Sequence, residues 1–306
     1  MKLEFVKINK SFSGRHILKD VSFEVQSGKA MGFLGRNGAG KTTTIRTLTD
    51  VFKPDSGKFL LDGKELDRKA VKIGYLPEER GMYQRIAVLE QLAYFGKLKG
   101  MSGTDAKKAA VSWLERMDLS DWASKNLETL SKGNQQKIQI IQAVINDPEI
   151  LVFDEPFSGL DPVNSKILKD IIREFIERGK IVIFSSHQMS YVEEFCDDVC
   201  FIKKGKIILS ENLNELKAKL GKNKLRINID LEKEPARELL KRCDAVEDVL
   251  GDRTGIILQI KNERNSNEIL KYLIEKGCTV KSFTPYRPSL EEIFIELDEE
   301  VEDEAV

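Results

Sequence analysis

The chain has 306 residues, 41% of them apolar, enough to bury one large core and a smaller one, so a disordered chain is excluded. Lys plus Arg (49) nearly balance Asp plus Glu (50), which excludes an overall polycation for nucleic acid and an acidic solvating chain. The charge is divided unevenly: residues 222–306 hold 14 basic and 20 acidic side chains, leaving 35 and 30 for residues 1–221, which points to two units of different character.

The opening alternates, Leu3 and Phe5 against Lys2 and Glu4, and again at Val21-Phe23-Val25, predicting antiparallel strands joined at Ser13-Gly14. Ala30–Leu34 is a continuous apolar run, as a strand buried on both faces requires, and it leads into a glycine-rich loop followed by helical spacing over 43–49. Residues 85–147 read as helical, with Val88, Leu92 and Phe95 on one stripe and Ala109, Trp113 and Met117 on another. Ile150–Phe153 and Ile181–Phe184 are two further buried strands flanking a helix that carries Ile167, Ile171 and Phe175. This order predicts an α/β core with a parallel sheet and a helical insert at about 82–147. Beyond residue 221 the pattern changes to β-α-β-β-α-β over 225–284, a small α+β domain spanning 222–306. Ser289 and Glu292 form a capping box that starts a last helix, and the acidic stretch 298–304 reads as frayed.

Cys196, Cys200, Cys243 and Cys278 lack the CxxC spacing of a zinc site, and with only His16 and His187 to complete one they read as buried free thiols. The first residues, MKLEFVKINKSF, hold no apolar segment of leader length, and no apolar run approaches the roughly 18 residues that span a bilayer. The expectation is a soluble, cytoplasmic chain.

Gly35-Arg36-Asn37-Gly38-Ala39-Gly40-Lys41-Thr42 matches G-x-x-x-x-G-K-[ST]. Such a loop curls so that its N–H groups face phosphate oxygens and the positive end of the next helix adds to them. Gly35, Asn37, Gly38, Ala39, Gly40, Lys41, Thr42 and Thr43 are therefore candidate nucleotide contacts, with Lys41 reaching the β and γ phosphates and Thr42 ligating Mg²⁺. The apolar strand ending Asp154-Glu155 supplies two carboxylates, Asp154 to hold the Mg²⁺ shell and Glu155 to polarise water for in-line attack.

Leu130-Ser131-Lys132-Gly133-Asn134-Gln135-Gln136 resembles the LSGGQ signature of ABC ATPases, and with the two preceding motifs the resemblance extends over residues 1 to about 220. By itself the segment also reads as an N-cap before the helix of Ile138 and Ile141. The resemblance implies a P-loop ABC ATPase with an antiparallel β subdomain and a helical subdomain, binding ATP and Mg²⁺. It implies further that two subunits sandwich two ATP molecules head to tail, with Ser131, Gly133 and Gln135 binding the γ-phosphate held by the other subunit. Phe12 matches the aromatic residue that stacks on adenine, although a Phe on an early strand more often belongs to a core. Ser158-Gly159-Leu160-Asp161 is similar to the D-loop, placing Asp161 against the neighbouring subunit, and His187 matches the switch histidine that senses the γ-phosphate.

Two residues depart from the family pattern. Glu78 stands where the family commonly has Gln, as a site residue and metal ligand that also brings negative charge toward the γ-phosphate. Lys132 replaces the first signature glycine, adding charge near the phosphate or pointing to solvent.

The ending Pro288–Phe294 is similar to the close of the accessory domain on ABC-2-type exporter ATPases, among them sodium- and drug-efflux subunits. The combined resemblance implies an ATP-hydrolysing subunit, of an exporter, that powers a separate membrane-spanning permease subunit through ATP-driven dimerisation. It would act as a homodimer or beside a paired ATPase subunit, peripheral on the cytoplasmic face of the membrane. Met82, Tyr83 and the apolar residues after Arg85 mark the region that receives the permease, or else pack inside the helical lobe. The alternative is a soluble ABC ATPase acting on ribosome or nucleic acid, disfavoured by a single P-loop and near-zero net charge, so that no nucleic acid is expected.

Overall fold

The computed structural model describes residues 1–306 except 80, 158–159, 187, 252–254 and 304–306. It divides into two units, Met1–Leu213 and Asn214–Val306.

The first unit opens with a hairpin of β1 (Lys2–Phe12) and β2 (Arg15–Gln26), closed by Ser13 at φ 48° and Gly14 at φ 79°, a two-residue turn whose positive dihedrals match the twist of the paired strands. The buried strand β3 (Ala30–Leu34) runs into the glycine loop and α1 (Lys41–Leu48). Next come β4 (Ser56–Leu61), β5 (Lys64–Glu65) and β6 (Ile73–Leu76), then a helical stretch of α2 (Val88–Leu98), α3 (Gly103–Arg116) and α4 (Lys132–Val144). The chain returns through β7 (Ile150–Asp154), α5 (Pro162–Glu177), β8 (Ile181–Ser185), α6 (Met189–Phe195), β9 (Asp198–Lys203) and β10 (Lys206–Asn212).

Two sheets result. One is antiparallel, in the order β2-β1-β4-β5. The other has the order β10-β9-β3-β8-β7-β6 and is parallel except at its β9-β10 edge. A single core joins them: Phe5, Phe23 and Phe59 from the first meet Phe33, Val152 and Ile183 from the second, with Ile45 and Leu48 of α1. The wholly buried β3, β7 and β8 explain why these three segments are continuous apolar runs. The parallel sheet brings the C-terminal ends of β3 and β7 side by side across β8, and ligands of open α/β sheets bind at such an edge.

The second unit contains α7 (Leu213–Leu220), β11 (Lys224–Ile229), α8 (Lys233–Lys241), β12 (Val246–Gly251), β13 (Ile256–Ile260), α9 (Ser266–Glu275), β14 (Val280–Pro285) and α10 (Leu290–Asp303). Its antiparallel sheet, ordered β12-β13-β11-β14, is the split-βαβ arrangement. A separate core runs through Leu225, Ile227, Leu240, Leu258, Ile269 and Leu273.

Three local expectations change. In α3 the buried face is Ala106-Ala110-Leu114, continuing to Met117, with Ala109 and Trp113 only half-buried; the Trp113 ring instead lies under the Arg116 guanidinium, 4.7 Å from its centroid. The division between the units falls one short helix before residue 221, so α7 groups with the second unit. The acidic end is helical to Asp303: the Ser289 hydroxyl accepts from the Glu292 N–H at 3.1 Å, the Glu292 carboxylate accepts from the Ser289 N–H at 2.6 Å, and this reciprocal box starts a helix that the acidic residues continue. The thiols are free, with Cys196, Cys200 and Cys243 buried and Cys278 half-buried.

Candidate functional site

The glycine loop, the hairpin, the segment after β6 and the end of β7 enclose a cleft of about 400 Å³ lined by Phe12, Arg15, Ile17, Arg36, Asn37, Gly38, Gly40, Lys41, Thr42, Thr43, Glu78, Asp154 and Glu155. The structure therefore brings together most of the loop residues, Phe12, Glu78 and both carboxylates. At the entry to α1, Gly40 has φ 115° and a side chain there would meet Leu18 and Ile202, so the turn that aims the helix N-terminus into the cleft admits only glycine.

Lys41 is buried, and its ammonium donates to the Gly35 carbonyl at 2.6 Å and the Arg36 carbonyl at 3.3 Å. Burial lowers its pKa, while the carboxylates of Glu155, Asp154 and Glu78 oppose that shift. The lysine thus holds the loop in a curl and stands beside three carboxylates.

Asp154 is buried at the end of β7, opposite Ser185 in the β7-β8 register, and one of its oxygens accepts the Ser185 hydroxyl. The other, Oδ2, is buried without a hydrogen-bond partner. Burial raises the pKa of this carboxyl, against the lowering influence of the Ser185 and Thr42 hydroxyls. An orphaned carboxylate oxygen beside the Thr42 hydroxyl and a phosphate cradle fits Mg²⁺, which takes one or two carboxylates and completes its shell with substrate phosphates and water.

Glu155 has φ 50°, a left-handed conformation that is costly for a non-glycine residue and that turns its side chain out of the strand line. Its N–H donates to the Ser185 carbonyl at 3.0 Å, and its carboxylate accepts the Ser186 hydroxyl at 3.3 Å. Ser185 and Ser186 thus position the two acids. Sequence reading passed over them, and the available signal was two hydroxyls at the end of a strand neighbouring an acid-terminated strand. Arg15 and Ile17, beside Phe12 in the cleft, were also missed, since nothing in their local spacing sets them apart.

Phe12 is 41% exposed, which removes the core reading; it meets Phe52 edge-on at 5.1 Å, and Lys10 Nζ lies 5.3 Å from its ring centroid. Glu78 is exposed at the rim. Ser131, Gly133 and Gln135 do not line the cleft. Ser131 is the N-cap of α4, accepting from the Asn134 N–H at 3.3 Å, so the N-cap reading holds for its geometry. The Gln135 amide donates to the carbonyls of Leu127 and Leu130, holding the chain that leads into Ser131, and Lys132 is exposed. Asp161 caps α5, accepting from the Asn164 N–H at 2.9 Å and from its side-chain amide. Ser158, Gly159 and His187 lie outside the described residues.

The parallel sheet, the glycine loop entering α1 and the acid-ended β7 define a P-loop nucleotide hydrolase. A family model described as ABC transporter matches residues 18–158, and one described as ATP-binding protein DrrA1-3-like, C-terminal domain, matches residues 212–297. The uncharacterized ABC transporter ATP-binding protein YhaQ of Bacillus subtilis (strain 168) is 39% identical, covering 94% of this chain and 96% of its own. The linearmycin resistance ATP-binding protein LnrL of the same organism is 30% identical, over 96% and 97%. A solved ATP-binding subunit of an ABC transporter superposes with a TM-score of 0.66 at 26% identity, covering 72% of this chain and 94% of its own. A dimeric ATP-binding cassette in a post-hydrolysis state with ADP and Pi superposes with a TM-score of 0.61 at 25% identity, covering 69% and 98%. The chain belongs to the ABC transporter ATP-binding proteins and is an ATPase of that family.

Proposed function

We propose that this chain is the ATP-hydrolysing subunit of an exporter, working as an ATP-driven dimer that powers a separate membrane-spanning subunit. The observation that carries the reading is the cleft in which the P-loop, Asp154 and Glu155 converge while the signature segment at the start of α4 stays outside it. A signature that does not line its own cleft is available to the nucleotide of a second subunit, with a hydroxyl, a glycine N–H and a helix N-terminus as anion donors. Among the described residues, no helix is long and apolar enough to cross a membrane. Support for export comes from the relative named for linearmycin resistance and from the Nod factor export ATP-binding protein I of Paraburkholderia xenovorans (strain LB400), 33% identical over 67% of this chain and 69% of its own. Tyr83, Ile86, Tyr94 and Leu98 are exposed apolar residues in the region assigned to the permease, whereas Met82 is buried.

In hydrolysis, Lys41 leaves the loop carbonyls for the β and γ phosphates, and Phe12 stacks on adenine. Glu155 accepts a proton from the attacking water as its oxygen bonds the γ-phosphorus and the bond to the β-phosphate oxygen breaks, releasing ADP and phosphate. Mg²⁺ would be held by Thr42 and Asp154, with Glu78 at the rim, and would neutralise charge developing on the β and γ oxygens. Ser131, Gly133 and Gln135, with Asp161 and His187, complete the site across the dimer.

Glu155→Gln tests this directly. The variant is expected to bind ATP, to hydrolyse it at least about a hundredfold more slowly, as loss of a general base implies, and to persist as an ATP-bound dimer in size-exclusion chromatography. Turnover at the native rate would remove Glu155 from its assigned role.

A further inference from the structure

Gln136 is the last residue of the signature-like segment; it is buried and does not line the nucleotide cleft. Its Nε2 donates to the Pro156 carbonyl at 3.1 Å, one residue beyond Glu155. The loop it reaches is held from another side as well. Phe157 is buried and stacks on Tyr191 of α6 with centroids 4.0 Å apart and planes at 19°. Glu155, between these anchors and the end of β7, keeps a left-handed backbone at φ 50°, and such a conformation persists only where its surroundings hold it.

The start of α4 is keyed to the next segment at a second point. A Cβ on Gly133 would lie 2.5 Å from the Asn164 side-chain nitrogen, and Asn164 is bonded to Asp161. The far end of α4 is fixed: Lys99 Nζ donates to the Gln142 and Ala143 carbonyls at 2.6 and 3.0 Å, and Gly74 of β6 approaches the Ala143 carbonyl too closely for any side chain. A helix clamped at its C-terminal end and contacted at its N-terminal end transmits a shift of that end to whatever its first turns hold. In the first two turns Gln135 and Lys137 bond the carbonyls of Leu127, Leu130 and Met117, and Gln136 bonds Pro156, which adjoins Glu155.

We propose that Gln136 is a positioning residue coupling the signature segment to the hydrolytic glutamate of its own subunit: when the partner's nucleotide engages the start of α4, the Gln136–Pro156 hydrogen bond carries that engagement to the backbone beside Glu155. This rests on the head-to-tail sandwich proposed above. It makes each subunit's hydrolysis depend on the other's nucleotide through a bond inside one chain. Because Gln136 is buried and does not line the cleft, its loss acts on turnover and not on ATP binding.

The test uses the full chain. Gln136→Met keeps an unbranched side chain of similar size without a donor, and Gln136→Glu keeps the shape and replaces the donor with an acceptor. Each is assayed for turnover against ATP concentration, and each is combined with Glu155→Gln for ATP-dependent dimerisation by size-exclusion chromatography. The expected result is a fall in kcat of about tenfold, with the ATP concentration for half-maximal rate within about twofold of native and the dimer retained. An unchanged kcat, or a loss of dimer in step with kcat, overturns the proposal, the latter assigning Gln136 to the shape of the signature helix alone. Failure of both variants to fold also overturns it, by assigning Gln136 to the core. Absence of an ATP dimer in Glu155→Gln itself is a separate result, which removes the sandwich and the coupling with it.

Discussion

Asp154 and Lys41 share a physical situation: each is an ionisable group held in a buried site that stability alone would not favour and that the proposed nucleotide chemistry would use. The folded-state pKa of Asp154 lies above its ordinary value of 3.8. Its stabilising contribution is therefore fully present below that value and is lost as pH rises through the folded pKa, so the burial of this carboxyl weighs against the fold at higher pH. Asp154→Asn keeps an oxygen for the Ser185 hydroxyl and removes the buried charge. It is expected to raise the melting temperature of the nucleotide-free protein at pH 7 and to abolish the Mg²⁺ dependence of ATP binding, measured by thermal melts and by titration with a fluorescent ATP analogue. Lys41→Ala removes the buried cation of the glycine loop, proposed to reach the β and γ phosphates. A loss of ATP affinity of at least about tenfold is expected, since hydrogen bonds to charged groups contribute about 1.5–3 kcal/mol.

At the scale of elements, local capping chemistry and site construction coincide. Ser131 caps α4 and Asp161 caps α5, so the groups proposed to meet the second subunit also start the helices whose positive ends they extend. Ser131→Ala is expected to cost about 1 kcal/mol of stability as a lost cap, and to weaken ATP-dependent dimerisation, read in the Glu155→Gln background. Gly133→Ala probes packing instead. Its added Cβ displaces the Asn164 amide from Asp161, so the expected outcome is a weaker dimer with an ATP affinity per subunit close to native, because neither Asn164 nor Asp161 lines the cleft.

For the whole molecule, the two units have separate cores, and every cleft residue lies in the first. A fragment of residues 1–213 is therefore expected to bind the fluorescent ATP analogue within about threefold of the full chain, a change of well under the roughly 1.4 kcal/mol that a tenfold difference requires.

Much of this was legible in residue order. The P-loop, the acid-ended strand and the capping box at Ser289 are chemistry written over a few consecutive residues, where backbone conformation and side-chain roles are set by near neighbours. The βαββαβ order of the second unit and the hairpin at Ser13-Gly14 likewise follow from alternation and turn residues. Other features depended on contacts between distant segments. Ser185 and Ser186 become supports for Asp154 and Glu155 only because β8 lies beside β7 in a particular register, and Arg15 enters the cleft only because its strand passes the glycine loop. The buried stripe of α3 moved by one position because the packing partner, not the period, selects which apolar residue faces inward. Sequence by itself determined the nucleotide chemistry and the family, since phosphate binding needs glycine, lysine and a hydroxyl at fixed local spacing. The tertiary structure alone decided that the signature stands outside its own cleft and that Gln136 reaches Pro156, because both are distances between segments that no local pattern encodes.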